Sequence, residues 1–225
     1  MDLSKPKLSK KERRAARIQA QKQRRQRIWG LVGLAVLTFA ALFVWQSTNR
    51  VPLEDLRAQA PPNIDGPADA AVKVVEYGDF GCPACRVWHQ VGVKEQLQAR
   101  FGEQVSFEFR HFPVITAQSP TAAVAAQCAA EQGAFWAFHD YIYDETTAVA
   151  LSRGDLKRYA AAIGLEGDSF AGCLDSEKYM PLVRADWDRA LQVGARGTPT
   201  FLIDGQRVNP DYQSMAAIIA NMLTP

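Results

Sequence analysis

Two hydrophobic patterns divide this chain. From Ile28 to Trp45 the residues IWGLVGLAVLTFAALFVW run without a charge and with one polar side chain, Thr38. An apolar run on every face is the pattern of a helix surrounded by lipid. At about 1.5 Å per residue it extends about 27 Å, close to the hydrocarbon thickness of a bilayer. Trp29 and Trp45 stand near its ends, where aromatic rings favour the interface.

Further along, hydrophobicity comes in short blocks of changing period. Ala71-Val72-Lys73-Val74-Val75-Glu76-Tyr77 is a β-branched run suited to a buried strand. Turn residues Gly78, Asp79 and Gly81 follow. Cys82 to about Arg100 then has helical spacing, with Val87, Trp88, Val91 and Leu97 among its apolar positions and Gly92 as a weak point. Val105 to Phe112 alternates at period two, a second strand. From Ser119-Pro120, read as N-cap and first helical residue, to about Val193 the chain is Ala-rich with helical spacing. Glycines at 133, 154 and 164–167 divide that stretch into four or five short helices. Thr200 to Gly205 reads as a strand entering a turn, Arg207-Val208 as a short return strand, and Asp211 to Leu223 as a closing helix. The order is that of an α/β domain with a helical insertion at about 115–193. Residues 46–68, with Pro61-Pro62 and Gly66-Pro67, read as a tether.

Charge gives the apolar span a direction. Residues 1–27 hold eleven Lys and Arg against Asp2 and Glu12, while the rest of the chain is net −7 under an overall +2. A basic block just before an apolar span keeps residues 1–27 in the cytoplasm and sends the remainder across. Anionic lipid, rather than nucleic acid, is its natural partner there. A cleaved signal peptide has a shorter apolar core and a nearby small-residue cleavage site. The first A-x-A here, Ala58-Gln59-Ala60, lies far downstream and precedes Pro61. The expected division is a basic cytoplasmic tail (1–27), a single-pass transmembrane anchor (28–45), a linker (46–68) and an extracytoplasmic domain (69–225).

The candidate chemistry lies in the cysteines: one close pair, Cys82-Pro83-Ala84-Cys85, and two singles, Cys128 and Cys173. Zinc normally takes four ligands. Beyond the pair only His89 is near in sequence, so no metal is expected. Redox chemistry needs a first sulfur at a helix N-terminus, where unpaired N–H groups favour thiolate. Cys82 follows a strand and a turn, and Pro83 suits a first turn. A second sulfur one turn deeper follows from the spacing. A buried proton acceptor for that deeper thiol could be Glu76, which as a bare sequence position could equally be a surface or cap-paired carboxylate. The aromatic set Phe135, Trp136, Phe138, Tyr141 and Tyr143 has helical spacing and reads as core. His111 and His139 read as packing residues.

Val74 to Cys85 (VVEYGDFGCPAC), Phe109-Arg110-His111-Phe112-Pro113, Ala129 to His139 (AAEQGAFWAFH) and Gly197-Thr198-Pro199-Thr200-Phe201 together resemble the DsbA-like disulfide oxidoreductases of the thioredoxin superfamily. The matches run in family order from about residue 70 to the C-terminus. The resemblance implies a thioredoxin fold with an inserted helical subdomain and no cofactor beyond a redox-active Cys82–Cys85 disulfide. It also implies a cis Thr198–Pro199 bond packed beside that pair, where the Thr198 backbone meets a substrate strand, and a buried Glu76. The strongest oxidants of the family often carry His between the cysteines, and this chain has Ala84. Cys128 and Cys173, two singles in one domain of an oxidising compartment, are expected to pair, as in some relatives; two buried free thiols are the alternative.

The reading that follows is a membrane-anchored oxidoreductase that introduces disulfides into reduced exported proteins. By the resemblance, a quinone-linked membrane protein would reoxidise it. An extracytoplasmic reductase or isomerase uses the same atoms in the other direction. A non-catalytic tethered assembly factor would not need both cysteines and the Thr-Pro loop.

Overall fold

The computed structural model describes residues 10–48, 52–144 and 150–224, which fall into two units divided after Val51. The first is a single helix, α1 (Lys10–Thr48). Within it Lys22–Val44 contains an 18-residue stretch with a mean hydropathy of 2.0 and no buried side chain. Among the described residues this is the one helix long and apolar enough to cross a membrane. Residues 1–9 of the basic tail and the side chain of Trp45 lie outside the described residues.

The second unit is built on a five-stranded sheet. Its strands are β1 (Ile64–Asp65), β2 (Val72–Gly78), β3 (Val105–His111), β4 (Thr200–Ile203) and β5 (Gln206–Val208), in the order β1-β3-β2-β4-β5. β2 runs parallel to β3 with Val74 opposite Phe107, and antiparallel to β4 with Glu76 opposite Phe201. A parallel pair needs a crossover. Here two helices supply it, α3 (Pro83–Gln90) and α4 (Val93–Phe101). The expected single helix over 82–100 is broken because Gly92 takes φ 68°, a left-handed conformation that suits glycine and stops a helix.

Side chains alternate across the sheet. Val72 and Val74 pack with Trp88, Leu97 and, from α10 (Tyr212–Leu223), Met215 and Ile219. Tyr77 and Leu202 pack on the opposite face with Phe112 and Ala190. Glu76 continues the Val72 and Val74 face, two residues further along, and so points toward the α3 side.

Among the described residues the insertion forms five helices: α5 (Ser119–Ala130), α6 (Phe135–Tyr143), α7 (Arg153–Ala162), α8 (Gly167–Asp175) and α9 (Met180–Gln192). α5 is buried on nearly every face, its alanines letting neighbours approach closely. The aromatic set packs here as core: Phe135, Phe138 and Tyr143 are buried, and Trp136 and Tyr141 pack partly buried against them. Gly133 and Gly164 mark real breaks at positive φ. Gly154 does not, lying inside α7 behind a Ser152–Asp155 capping box. Ser119 is the first helical residue rather than the cap. The Thr116 hydroxyl accepts the N–H groups of Gln118 and Ser119 in its place. Cys128 on α5 and Cys173 on α8 form a disulfide across 45 residues of sequence. Replacing both by alanine is expected to lower stability by about 2–4 kcal/mol, read by urea unfolding, with disulfide transfer retained.

The tether reading needs correction. From Pro52 onward the segment belongs to the folded unit: α2 (Leu53–Gln59) places Leu53 and Leu56 against the insertion core. β1 pairs antiparallel with β3 and closes one sheet edge. Arg57 of α2 pairs with Asp186 of α9, whose side chain is fully buried.

Candidate active site

The turn after β2 is held before any cysteine is placed. Asp79, buried at its start, uses Oδ1 to accept the N–H of Gly81 and Oδ2 to accept those of Val114 and Ile115. One carboxylate thus ties the β2–α3 turn to the segment after β3. Sequence reasoning treated Asp79 only as a turn former; an Asp between two turn glycines, Gly78 and Gly81, was the available signal. The Tyr143 hydroxyl donates to the Asp79 carbonyl and fixes α6 to the same turn.

Cys82 is the N-cap of α3, with Pro83 next, and its Sγ accepts the backbone N–H of Cys85 at 3.4 Å. On the other side its thiol faces the Thr198 carbonyl oxygen at 3.2 Å. Thr198–Pro199 is a cis peptide bond leading into β4, so the loop presents a carbonyl rather than an N–H to the sulfur. Cys85, one turn deeper, is fully buried. Two recesses flank the pair. A cavity of about 370 Å³ is lined by Phe80, Cys82, Pro83, Arg86, Thr116 and Leu151, among others. A second, of about 390 Å³, runs along the Thr198-Pro199 loop and Arg207.

The electrostatics separate the two thiols. A hydrogen bond from the Cys85 side chain lowers Cys82 to about 6, with the Thr198 side-chain hydroxyl and the α3 N–H groups helping against burial. Burial pushes Cys85 far up, and the neighbouring Cys82 sulfur and Glu76 carboxylate add to it. At neutral pH such a pair holds a thiolate at Cys82 and a proton on Cys85. That is a nucleophile and good leaving group beside a thiol that must trade a proton to react.

Glu76 is buried and its Oε2 lies 3.1 Å from His89 Nε2. His139 packs perpendicular to His89 at 4.3 Å between ring centres. Sequence reasoning weighed His89 only as a ligand beside the cysteines and placed His139 in the core. It did not bring either to Glu76, since 13 and 63 residues separate them from it. The donor atoms of Glu76, His89 and His139 lie within 4.8 Å of one another.

A strand, a turn, a CxxC at a helix start, a parallel return strand and a cis-proline loop facing the first sulfur form one constellation. The thioredoxin family model matches residues 61–221, which include all of it.

The chain belongs to the thioredoxin family.

Within that family it is a DsbA-like thiol–disulfide oxidoreductase. It is similar to a probable disulfide bond formation protein D of Bacillus anthracis, at 34% identity over 68% of this chain and 75% of that protein. The structure of BdbD from Bacillus subtilis, in its oxidised form, superposes with a TM-score of 0.65 at 25% identity, covering 72% of this chain and 93% of that one. A Na(+)/H(+) antiporter NhaA of Herminiimonas arsenicoxydans is 36% identical over 82% of this chain. This thioredoxin-family chain spans only 29% of that antiporter's length, and the ion exchange in its name is said of that protein alone.

Proposed function

We propose that this chain is a membrane-anchored disulfide donor that oxidises exported proteins through Cys82 and Cys85. The observation that carries the reading is the opposite displacement of the two thiols, Cys82 down to about 6 and Cys85 up. A stabilised Cys82 thiolate favours the dithiol form, which makes the disulfide form an oxidant. In a turnover, a substrate thiolate attacks the Cys82 sulfur and the Cys82–Cys85 bond breaks toward Cys85, which takes up a proton from the Glu76 side. A second substrate thiolate then attacks the substrate sulfur of the mixed disulfide, and Cys82 leaves as thiolate. The client gains a disulfide, and the enzyme keeps two electrons as a dithiol. All the redox equivalents reside in this pair, so the chemistry calls for no further cofactor.

The recess along Thr198–Pro199 and Arg207 supports docking of an extended substrate segment next to Cys82. α1 would anchor the protein with its basic end in the cytoplasm and the catalytic domain outside, in contact with anionic lipid. A dithiol tethered at a membrane is at high effective concentration for a membrane-bound reoxidase, which the resemblance makes quinone-linked.

Equilibration of the Cys82–Cys85 pair with glutathione tests the direction of flow. The expected potential lies between the roughly −270 mV of thioredoxin and the roughly −120 mV of the strongest disulfide donors, with Cys82 thiolate absorbance appearing near pH 6. A potential near the roughly −270 mV of thioredoxin would replace this reading with a tethered reductase or isomerase. Ala84, which brings no positive charge between the cysteines, is the residue that would account for it.

A further inference from the structure

Cys85 is fully buried, so its proton cannot come directly from water. Glu76 is close enough for its charge to act on Cys85. It is itself only 5% exposed and needs a route of its own. Its carboxylate has two different ends. Oε2 meets His89 Nε2 at 3.1 Å, while the buried Oε1 has no hydrogen-bond partner among the described residues. That is the arrangement of a carrier that takes a proton on one oxygen and hands it on from the other.

His89 stands where the next carrier has to be. It lies four residues after Cys85 in α3, one turn further along the same helix face. Its side chain retains 8% exposure, so it touches both the buried carboxylate and solvent. The groups around it leave it that part. Tyr143 of α6 stacks on its ring at 5.0 Å, and burial holds that phenol protonated. His139, also of α6, is fully buried and held down to about 4, chiefly by desolvation and then by His89. Its Nδ1 is already engaged with Asp140 at 2.7 Å. On His89 itself Asp140 acts through charge alone, and Lys94 acts on Asp140 in the same way.

We infer that His89 relays protons between the Glu76 carboxylate and solvent each time the Cys82–Cys85 bond breaks or forms. The inference rests on the disulfide-exchange reading and extends its proton path by one residue. As the bond breaks, its electron pair goes to the Cys85 sulfur, and a proton reaches that sulfur from Glu76. His89 Nε2 gives its proton to Glu76 Oε2, and solvent replaces it at the other ring nitrogen. Reoxidation runs the path backward. His89 touches neither sulfur of the client; it works through Glu76.

His89→Gln tests this, because glutamine can keep a hydrogen bond to Glu76 but cannot carry a proton through a ring. Stopped-flow rates would be measured on the full-length protein in detergent from pH 5 to 8. The two reactions are reduction of the disulfide by dithiothreitol and oxidation of the dithiol by oxidised glutathione. Both rates are expected to fall by about tenfold at pH 7, a part of what general acid–base groups usually contribute. The pH profile should change and the reduction potential should not, since a relay speeds both directions alike. In a Glu76→Gln background, His89→Gln should add nothing further. Unchanged rates, a shift of one direction together with the potential, or full additivity with Glu76→Gln would each overturn the relay. Loss of the exchange reading itself would show differently, as disulfide transfer that survives Cys82→Ser.

Discussion

Cys82→Ser is expected to fold like the parent and to bring disulfide transfer down to the uncatalysed level. Cys85→Ser is expected to lose transfer as well, and to stall covalently attached to a client that is offered with a disulfide already in it. The two outcomes differ because the sulfurs do different work. Cys82 is the atom a client thiolate can attack: it lines the recess, sits at the start of α3, and is held as thiolate with its value lowered to about 6. A serine hydroxyl there accepts the Cys85 N–H but forms no disulfide. Cys85 cannot take over, since it is fully buried and burial keeps it protonated. In Cys85→Ser the Cys82 thiolate remains but has no partner with which to store a disulfide, so it cannot oxidise a reduced client. It can attack a disulfide already present in a client, and the mixed disulfide then persists because no Cys85 thiol is there to displace it. Transfer to a reduced model protein reads the loss in both variants, and a non-reducing gel after mixing Cys85→Ser with a disulfide-bonded model protein reads the trapped adduct. Biological activity that persists in Cys82→Ser would make the chain a scaffold and not an oxidant.

The sequence was most informative where one residue type has few alternative uses. A CxxC directly after a β-branched run fixes a strand, a turn and a helix start at once, and the structure has β2, the Asp79 turn and α3 there. The alternation of Val105 to Phe112 was equally clear, because only one strand face can take each side chain. The segment from Pro52 to Asp65 was not legible, for the opposite reason. α2 is seven residues with two apolar anchors, Leu53 and Leu56, and β1 is two residues between proline- and glycine-rich turns. Neither has a period long enough to detect. Each gains its structure from tertiary contacts, Leu53 and Leu56 on the insertion core and Ile64 across from Glu108.

The site divides the same way. Residues close in sequence could be related by helix and strand geometry, so Cys82, Cys85 and Glu76 could be placed relative to one another. The cluster around Glu76 could not. It depends on α6 folding back over α3, which brings His139 and Tyr143 to His89 through helix packing that no local pattern encodes. A histidine four residues after the second cysteine reads in sequence only as a metal ligand; its 3.1 Å contact with Glu76, from which the relay is inferred, appears only in the fold.

Arg57→Ala should destabilise the domain by about 3–5 kcal/mol at pH 7.5, a large effect for a segment that reads as linker. The Arg57 guanidinium pairs with Asp186 Oδ2, which also accepts the His111 N–H, and Asp186 has no exposed side-chain surface. Removing the cation leaves a carboxylate in the core with only the His111 N–H and the lesser influence of the Arg110 charge to balance it. The pH dependence identifies the cause. Burial already raises Asp186 from 3.8 to about 6, with Arg57 the foremost influence holding it down. Without Arg57 it rises further. A carboxyl with a raised folded value contributes stability below its unfolded value and loses it as pH climbs through the folded one. The deficit of the variant should therefore be full at pH 7.5 and smaller by more than about 1 kcal/mol at pH 5, where Asp186 is largely protonated with or without Arg57. Urea unfolding of parent and variant at both pH values, followed by tryptophan fluorescence, measures it. A loss under about 0.5 kcal/mol would return residues 52–59 to the status of a surface tether. An equal loss at both pH values would mean that Arg57 acts through packing of its alkyl chain on α9 instead of through its charge.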